Sequence, residues 1–158
     1  MLDLFKLPNQ TYDRVHQPIS TLYCYDLCKL YAGVRRLIKP GGLYCADFTF
    51  PLLYMTQNLS WDPDRRAYIL AVSEPYRRGA ILEKKGIASF TVGDPIGEYH
   101  HLLSDIVKGL VENGFKIRGL WESPRVDEAD SALVLPRIDI PLHQARFLPY
   151  GITVVAEG

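Results

Sequence analysis

Apolar and polar positions alternate along this chain in two rhythms, and the switches between them mark the elements. Leu27, Leu30, Tyr31, Val34, Leu37 and Ile38 recur at helical spacing. Ser20 or Thr21 is a candidate start cap, because a hydroxyl there accepts from the unpaired N–H groups of the first turn. Lys39 stands near the negative end of this helix, and Pro40-Gly41-Gly42 stops it. Residues 43–50 read as a strand. Its stretch Leu43-Tyr44-Cys45-Ala46 is apolar on both faces, the pattern of a sheet sandwiched between helices. A second stripe, Leu103, Ile106, Val107, Leu110 and Val111, predicts a helix opened by Ser104-Asp105 and closed by Asn113-Gly114. Glycine suits that last position, since a left-handed cap penalises a side chain. Over residues 115–122 the period falls to two, with Phe115, Ile117, Gly119 and Trp121 on one face. Residues 123–130 are a polar, acidic loop, and residues 152–155 are a final strand. Ahead of the first helix, Pro8-Asn9-Gln10 is turn-like. Tyr12 to His16 is a short strand with Val15 inward, and Pro18 ends it.

Residues 51–98 break this order. Pro51, Pro63, Pro75 and Pro95 punctuate them. Strand-like runs occur at residues 68–72, 80–83 and 87–92, with Lys85-Gly86 as a tight turn between the last two. The stretch reads as an antiparallel insertion in one domain covering residues 1–158. The helix and strand alternation outside it predicts an α/β layer fold.

Composition narrows the function classes. With 158 residues the chain makes one domain, and a globule of that length buries roughly 70% of its unfolded surface. Lys plus Arg and Asp plus Glu are 18 each. This balance argues against nucleic acid as a partner, because phosphate binding needs a basic excess. It also argues against a charged membrane anchor. No apolar run approaches the roughly 20 residues that span a bilayer, and the first residues lack signal-peptide patterning. Three cysteines, Cys24, Cys28 and Cys45, without framework spacing predict a reducing compartment, the cytoplasm. No metal is expected: Cys24 and Cys28 would share one helical face, but no histidine lies near them in sequence. They read instead as small buried side chains of a core-facing helix.

Three stretches carry a resemblance. Leu7-Pro8-Asn9-Gln10-Thr11-Tyr12-Asp13-Arg14-Val15-His16 is one. Val34-Arg35-Arg36-Leu37-Ile38-Lys39-Pro40-Gly41-Gly42-Leu43-Tyr44 is the second. Leu103-Ser104-Asp105, Leu110-Val111-Glu112-Asn113-Gly114-Phe115 and Trp121-Glu122 make the third. In order and spacing they resemble the C-terminal half of the class I S-adenosylmethionine-dependent methyltransferases, over residues 7–50 and 98–158. The resemblance implies a partial Rossmann-like sheet built from the C-terminal strands, the last one antiparallel, with helices on its faces. The insertion at residues 51–98 then covers the substrate side. It also implies S-adenosylmethionine as cofactor of the complete domain and a small-molecule methyl acceptor.

The departure is at the cofactor. The family's first half carries a Gly-rich loop and an acidic residue, and no Gly-x-Gly occurs here. In this register the chain starts between the third and fourth strands of the family, with Met1 an internal methionine. A doubly wound sheet binds its ligand where strand order reverses, so this chain supplies one wall and is expected to be inactive alone. On that wall the resemblance places Met1, Leu2, His16, Gln17, Pro18 and Ile19 against the cofactor, and Tyr23, Asp47, Phe48 and Phe50 against the acceptor. His100 and His101 are candidate general bases near neutral pH, or part of a solvated helix entry. Phe48 and Phe50 can equally pack under the insertion. The alternative function is a non-enzymatic remnant that binds a partner chain, or dimerises, through the exposed edge of its first strand. A third reading, an α/β domain unrelated to methyl transfer, is favoured if the strands at residues 12–16 and 43–50 are antiparallel.

Overall fold

The computed structural model describes residues 4–18, 20–51, 56–72, 81–82, 98–99, 101–122, 149 and 151–158. Strand β1 (Tyr12–Gln17) leads through a short 3-10 turn (Ser20–Tyr23) into helix α1 (Leu27–Leu37) and strand β2 (Ile38–Thr49). β1 and β2 are parallel, with His16 opposite Cys45 and Gln17 opposite Ala46. The antiparallel arrangement that would have favoured an unrelated α/β domain is not what is found. Helix α2 (Leu103–Glu112) returns the chain to strand β7 (Lys116–Glu122), and β8 (Gly151–Glu157) closes the sheet. The strand order is β1-β2-β8-β7, with β8 antiparallel to both neighbours. The antiparallel last strand is thus as expected.

The insertion is β-structured where it is described. β3 (Thr56–Asp62) and β4 (Ala67–Val72) form an antiparallel hairpin. β5 (Ile81–Leu82) pairs antiparallel with β6 (Glu98–Tyr99). The strand-like run at residues 87–92 and its Lys85-Gly86 turn lie outside the described residues.

Local chemistry explains the element ends. Asp26, not Ser20 or Thr21, caps α1: its Oδ1 accepts from the Lys29 N–H at 2.9 Å. Thr21 is spent elsewhere, its hydroxyl donating to the Asp47 carbonyl at 2.6 Å. The chain leaves α1 at Leu37, and residues 39–42 bulge out between the Tyr12–Ile38 and Arg14–Leu43 pairs. Gly41 makes this possible with φ +78°. The bulge is held by Gly158, whose N–H donates to Gly42 at 2.9 Å and whose carbonyl accepts from Gly41 at 2.7 Å. α2 has no side-chain cap at its start, and Gly114 follows its end with φ +79°, as its spacing predicts.

Both described helices lie on one face of the sheet. Each connection crosses in the same direction, and right-handed crossovers therefore put both helices on the same side. Tyr44, Ala46 and Phe48 of β2 meet Ile152, Val154 and Ala156 of β8 beneath Leu27, Leu30, Tyr31 and Val34 of α1 and Ile106 and Leu110 of α2. The helices touch closely at Gly109, where a Cβ would stand 2.8 Å from the Tyr31 ring. Tyr44 Oη donates to Gln17 Oε1 at 2.7 Å inside this core.

The cysteine expectation holds only in part. Cys24 is buried, but in the turn before α1, its thiol donating to the Asp26 carbonyl at 3.3 Å. Cys28, on α1, is exposed. The period-two reading of β7 also fails midway. A bulge between Ile117 and Gly119 shifts the register, so Ile117 and Leu120 pair with the helix-face residues Ala156 and Val154. Gly119 and Trp121 pair with Val155 and Thr153 instead, on the opposite face.

Candidate functional site

Parallel strands end at the same edge of a sheet, and side chains there come from consecutive residues of different strands. β1 brings His16 and Gln17 to that edge, and β2 brings Asp47, Phe48 and Thr49. Because side chains alternate, the edge splits into two halves.

On the helix side, Gln17 and Phe48 turn inward. Gln17 is tied to Tyr44, and Phe48 is buried in the core with Phe50 packed against it. Above Phe48 is a cavity of about 10 Å³, lined by Thr21, Leu22, Phe48, Thr49, Tyr99 and His101. That is about the room one water needs. His101 Nε2 is buried there with no hydrogen-bond partner. Burial holds the His101 pKa below the ordinary imidazole value, with the backbone of Thr21 and Cys24 and the charge of Asp105 pulling more weakly upward. Burial thus disfavours the charged form of the ring. Tyr23 and Tyr25 are exposed close by, and Tyr25 meets Tyr99 at 5.9 Å between ring centroids with a 52° tilt.

On the other side, Asp47, Thr153 and Trp121 form one row across β2, β8 and β7, and His16 of β1, opposite Cys45, lies diagonal to Asp47. Thr153 donates its hydroxyl to Asp47 Oδ1 at 2.6 Å. The other oxygen, Oδ2, stands 3.9 Å from His16 Nε2. His16 is 62% exposed and Asp47 29%. Burial, and behind it the charge of Asp47, raises the thiol pKa of Cys45 on this face. The Trp121 ring lies over Gly119, where any Cβ would collide with it, and is 53% exposed.

The structure thus brings His16, Tyr23, Asp47 and His101 to one end of the sheet and draws Gln17, Phe48 and Phe50 into or against the core. Pro18 is exposed just past β1. Met1, Leu2, Ile19 and His100 lie outside the described residues. Sequence reasoning missed Tyr25, Thr153 and the role of Trp121. The alternation Tyr23-Cys24-Tyr25, with an apolar thiol between two phenols, was a signal for the first. Nothing local marks Thr153, which acquires its partner only through the β2–β8 register.

A sheet of this order, with an antiparallel strand inserted before its edge strand, matches part of the fold of the class I S-adenosylmethionine-dependent methyltransferases. A crystal structure of an S-adenosylmethionine-dependent methyltransferase from Mesorhizobium loti aligns with TM-score 0.76 and 20% identity, over 99% of this chain and 67% of its own. Geranyl diphosphate C-methyltransferase from Streptomyces coelicolor, solved with geranyl diphosphate and S-adenosyl-L-homocysteine, aligns with TM-score 0.51 and 14% identity, over 96% of this chain and 49% of its own. By sequence, the uncharacterised methyltransferase YbaJ of Bacillus subtilis is 22% identical over 125 residues, 77% of this chain. The chain spans about half the length of that relative, 47%. No protein-family model matches it. The resemblance seen in the sequence is borne out in the fold.

Proposed function

We propose that this chain forms the acceptor side of an S-adenosylmethionine-dependent methyltransferase that acts on a small molecule. The observation that carries the reading is the gathering of His16, Tyr23, Asp47 and His101 at the shared end of the parallel pair β1–β2, within a sheet of this strand order. The residues present fit the cofactor on one side only. His16 and Pro18 are exposed beyond β1, but Gln17 faces the core, and the chain has no Gly-x-Gly to cradle the methionine end. The other wall belongs to the remaining half of such a fold, and the isolated chain is inactive. The insertion at residues 51–98 covers the acceptor side, and the protein works in the cytoplasm.

The cofactor supplies a methyl group on a positively charged sulfur, so the protein needs to align the acceptor and exclude water more than it needs to activate the donor. His101 gives the acceptor a place for its proton. As the acceptor's lone pair takes the methyl carbon and the carbon–sulfur bond breaks, the acceptor proton passes to His101 Nε2. That nitrogen has no hydrogen-bond partner among the described residues. Tyr23, Tyr25 and Tyr99 offer apolar faces beside it.

Calorimetry tests this in two steps. S-Adenosyl-L-homocysteine should give no measurable binding heat with the 158-residue chain alone; micromolar affinity would sink the one-wall argument. Joining the first half of the Bacillus subtilis relative upstream should create binding. A folded chimera that still does not bind would count against the methyltransferase reading itself.

A further inference from the structure

His16, Asp47 and Thr153 make a cluster with a chemistry that methyl transfer alone does not require. Asp47 is fixed: Thr153 holds Oδ1 at 2.6 Å, and so sets where Oδ2 points. Oδ2 and His16 Nε2 face each other at 3.9 Å, too far apart for a hydrogen bond between them. Two acceptor-capable atoms so placed leave a gap for a donor. A nitrogen about 2.8 Å from both would bond them at an angle of about 90°, near the spacing of two N–H bonds on one ammonium. No lysine or arginine forms an ion pair with Asp47 among the described residues.

We infer that the gap between Asp47 and His16 binds an organic ammonium group of the methyl acceptor. The inference rests on the reading that this end of the sheet is the acceptor side, and it names the substrate class: a small amine, cationic when bound. Thr153 is a positioning residue, acting through Asp47. The carboxylate supplies charge and one hydrogen bond, and the imidazole, when neutral, supplies the second.

The test is a titration of the 15N-labelled 158-residue chain with phenethylammonium chloride, beside 2-phenylethanol as the uncharged counterpart. The amine should saturate, with shift changes grouped at His16, Asp47 and Thr153. It should bind about tenfold tighter than the alcohol, the scale of one charge-assisted hydrogen-bonded pair. Asp47→Asn should erase that preference. Equal affinity for the two probes, shifts grouped elsewhere, or a preference that survives in Asp47→Asn would overturn the inference. The wild-type shift map decides the matter even where the variant does not fold. The cofactor also carries an ammonium group, so a third arm adds S-adenosyl-L-homocysteine to the amine-saturated chain. Undisturbed amine signals support the acceptor as the source; displacement overturns that assignment. None of these readouts needs turnover. Loss of amine preference would therefore fail this inference alone, whereas absence of cofactor binding in the chimera would fail the methyltransferase reading.

Discussion

The two faces of the four-stranded sheet are made by the same strands and could hardly differ more. On the helix face, Tyr44, Ala46, Phe48, Ile152, Val154 and Ala156 are all buried and apolar in their packing. On the other face their immediate neighbours Cys45, Asp47, Thr49, Thr153 and Val155 are only partly buried. One face is filled, and its side chains hold the fold. The other keeps polar side chains in register and partly open to solvent, and its side chains hold chemistry. The strand's period of two makes this division of labour possible: a residue can change its task by moving one position.

Substitutions should break the symmetry of the sheet accordingly. Leu110→Ala, under the helix face, should cost about 2–5 kcal/mol by urea unfolding, as cavities in packed cores do. Val155→Thr on the open face should cost less than about 0.5 kcal/mol in the same measurement, the scale of surface exchanges. Similar losses at both sites would show that the open face is packed too. Tyr44→Phe is a smaller change on the helix face. It removes the buried donor to Gln17 and should cost about 1 kcal/mol while leaving the ring contacts intact.

The mildest effect is a pH dependence from His101. Its pKa is lowered in the folded chain by burial, from 6.5. Below that value the unfolded chain binds a proton that the folded chain resists. Stability is therefore greatest above pH 6.5 and declines as pH falls from there through the folded pKa. His101→Gln should flatten the slope of midpoint against pH in that window. An unchanged slope would place the titration in another group.

Much of the fold was legible because its signals are local. The stripes from Leu27 to Leu37 and from Leu103 to Val111 became α1 and α2, and Gly114 took the left-handed position its spacing called for. The signals that failed were contests between local and distant partners. Thr21 had the right hydroxyl for a helix cap, but the Asp47 carbonyl claimed it, and Asp26 capped instead. Trp121 had the right spacing to share a face with Phe115. The bulge after Ile117 moved it to the other face, where its ring covers Gly119. The site was legible in the same measure. Asp47, His16 and His101 could be picked out by residue type at strand and helix ends. What gives each its setting could not, because Thr153 and the recess around His101 exist only once separate strands and turns are side by side.

The close approach of α1 and α2 leaves a mark that can be looked for in other sequences. Gly109 and Tyr31 divide one volume between them, and a methyl group added at 109 would press on the tyrosine ring. Neither position is free to drift alone. In related chains that keep this helix pair, a residue larger than glycine at the position of 109 should travel with a smaller one at the position of 31. The two sites would then appear as a correlated pair, separated by 78 residues of sequence and by no space at all.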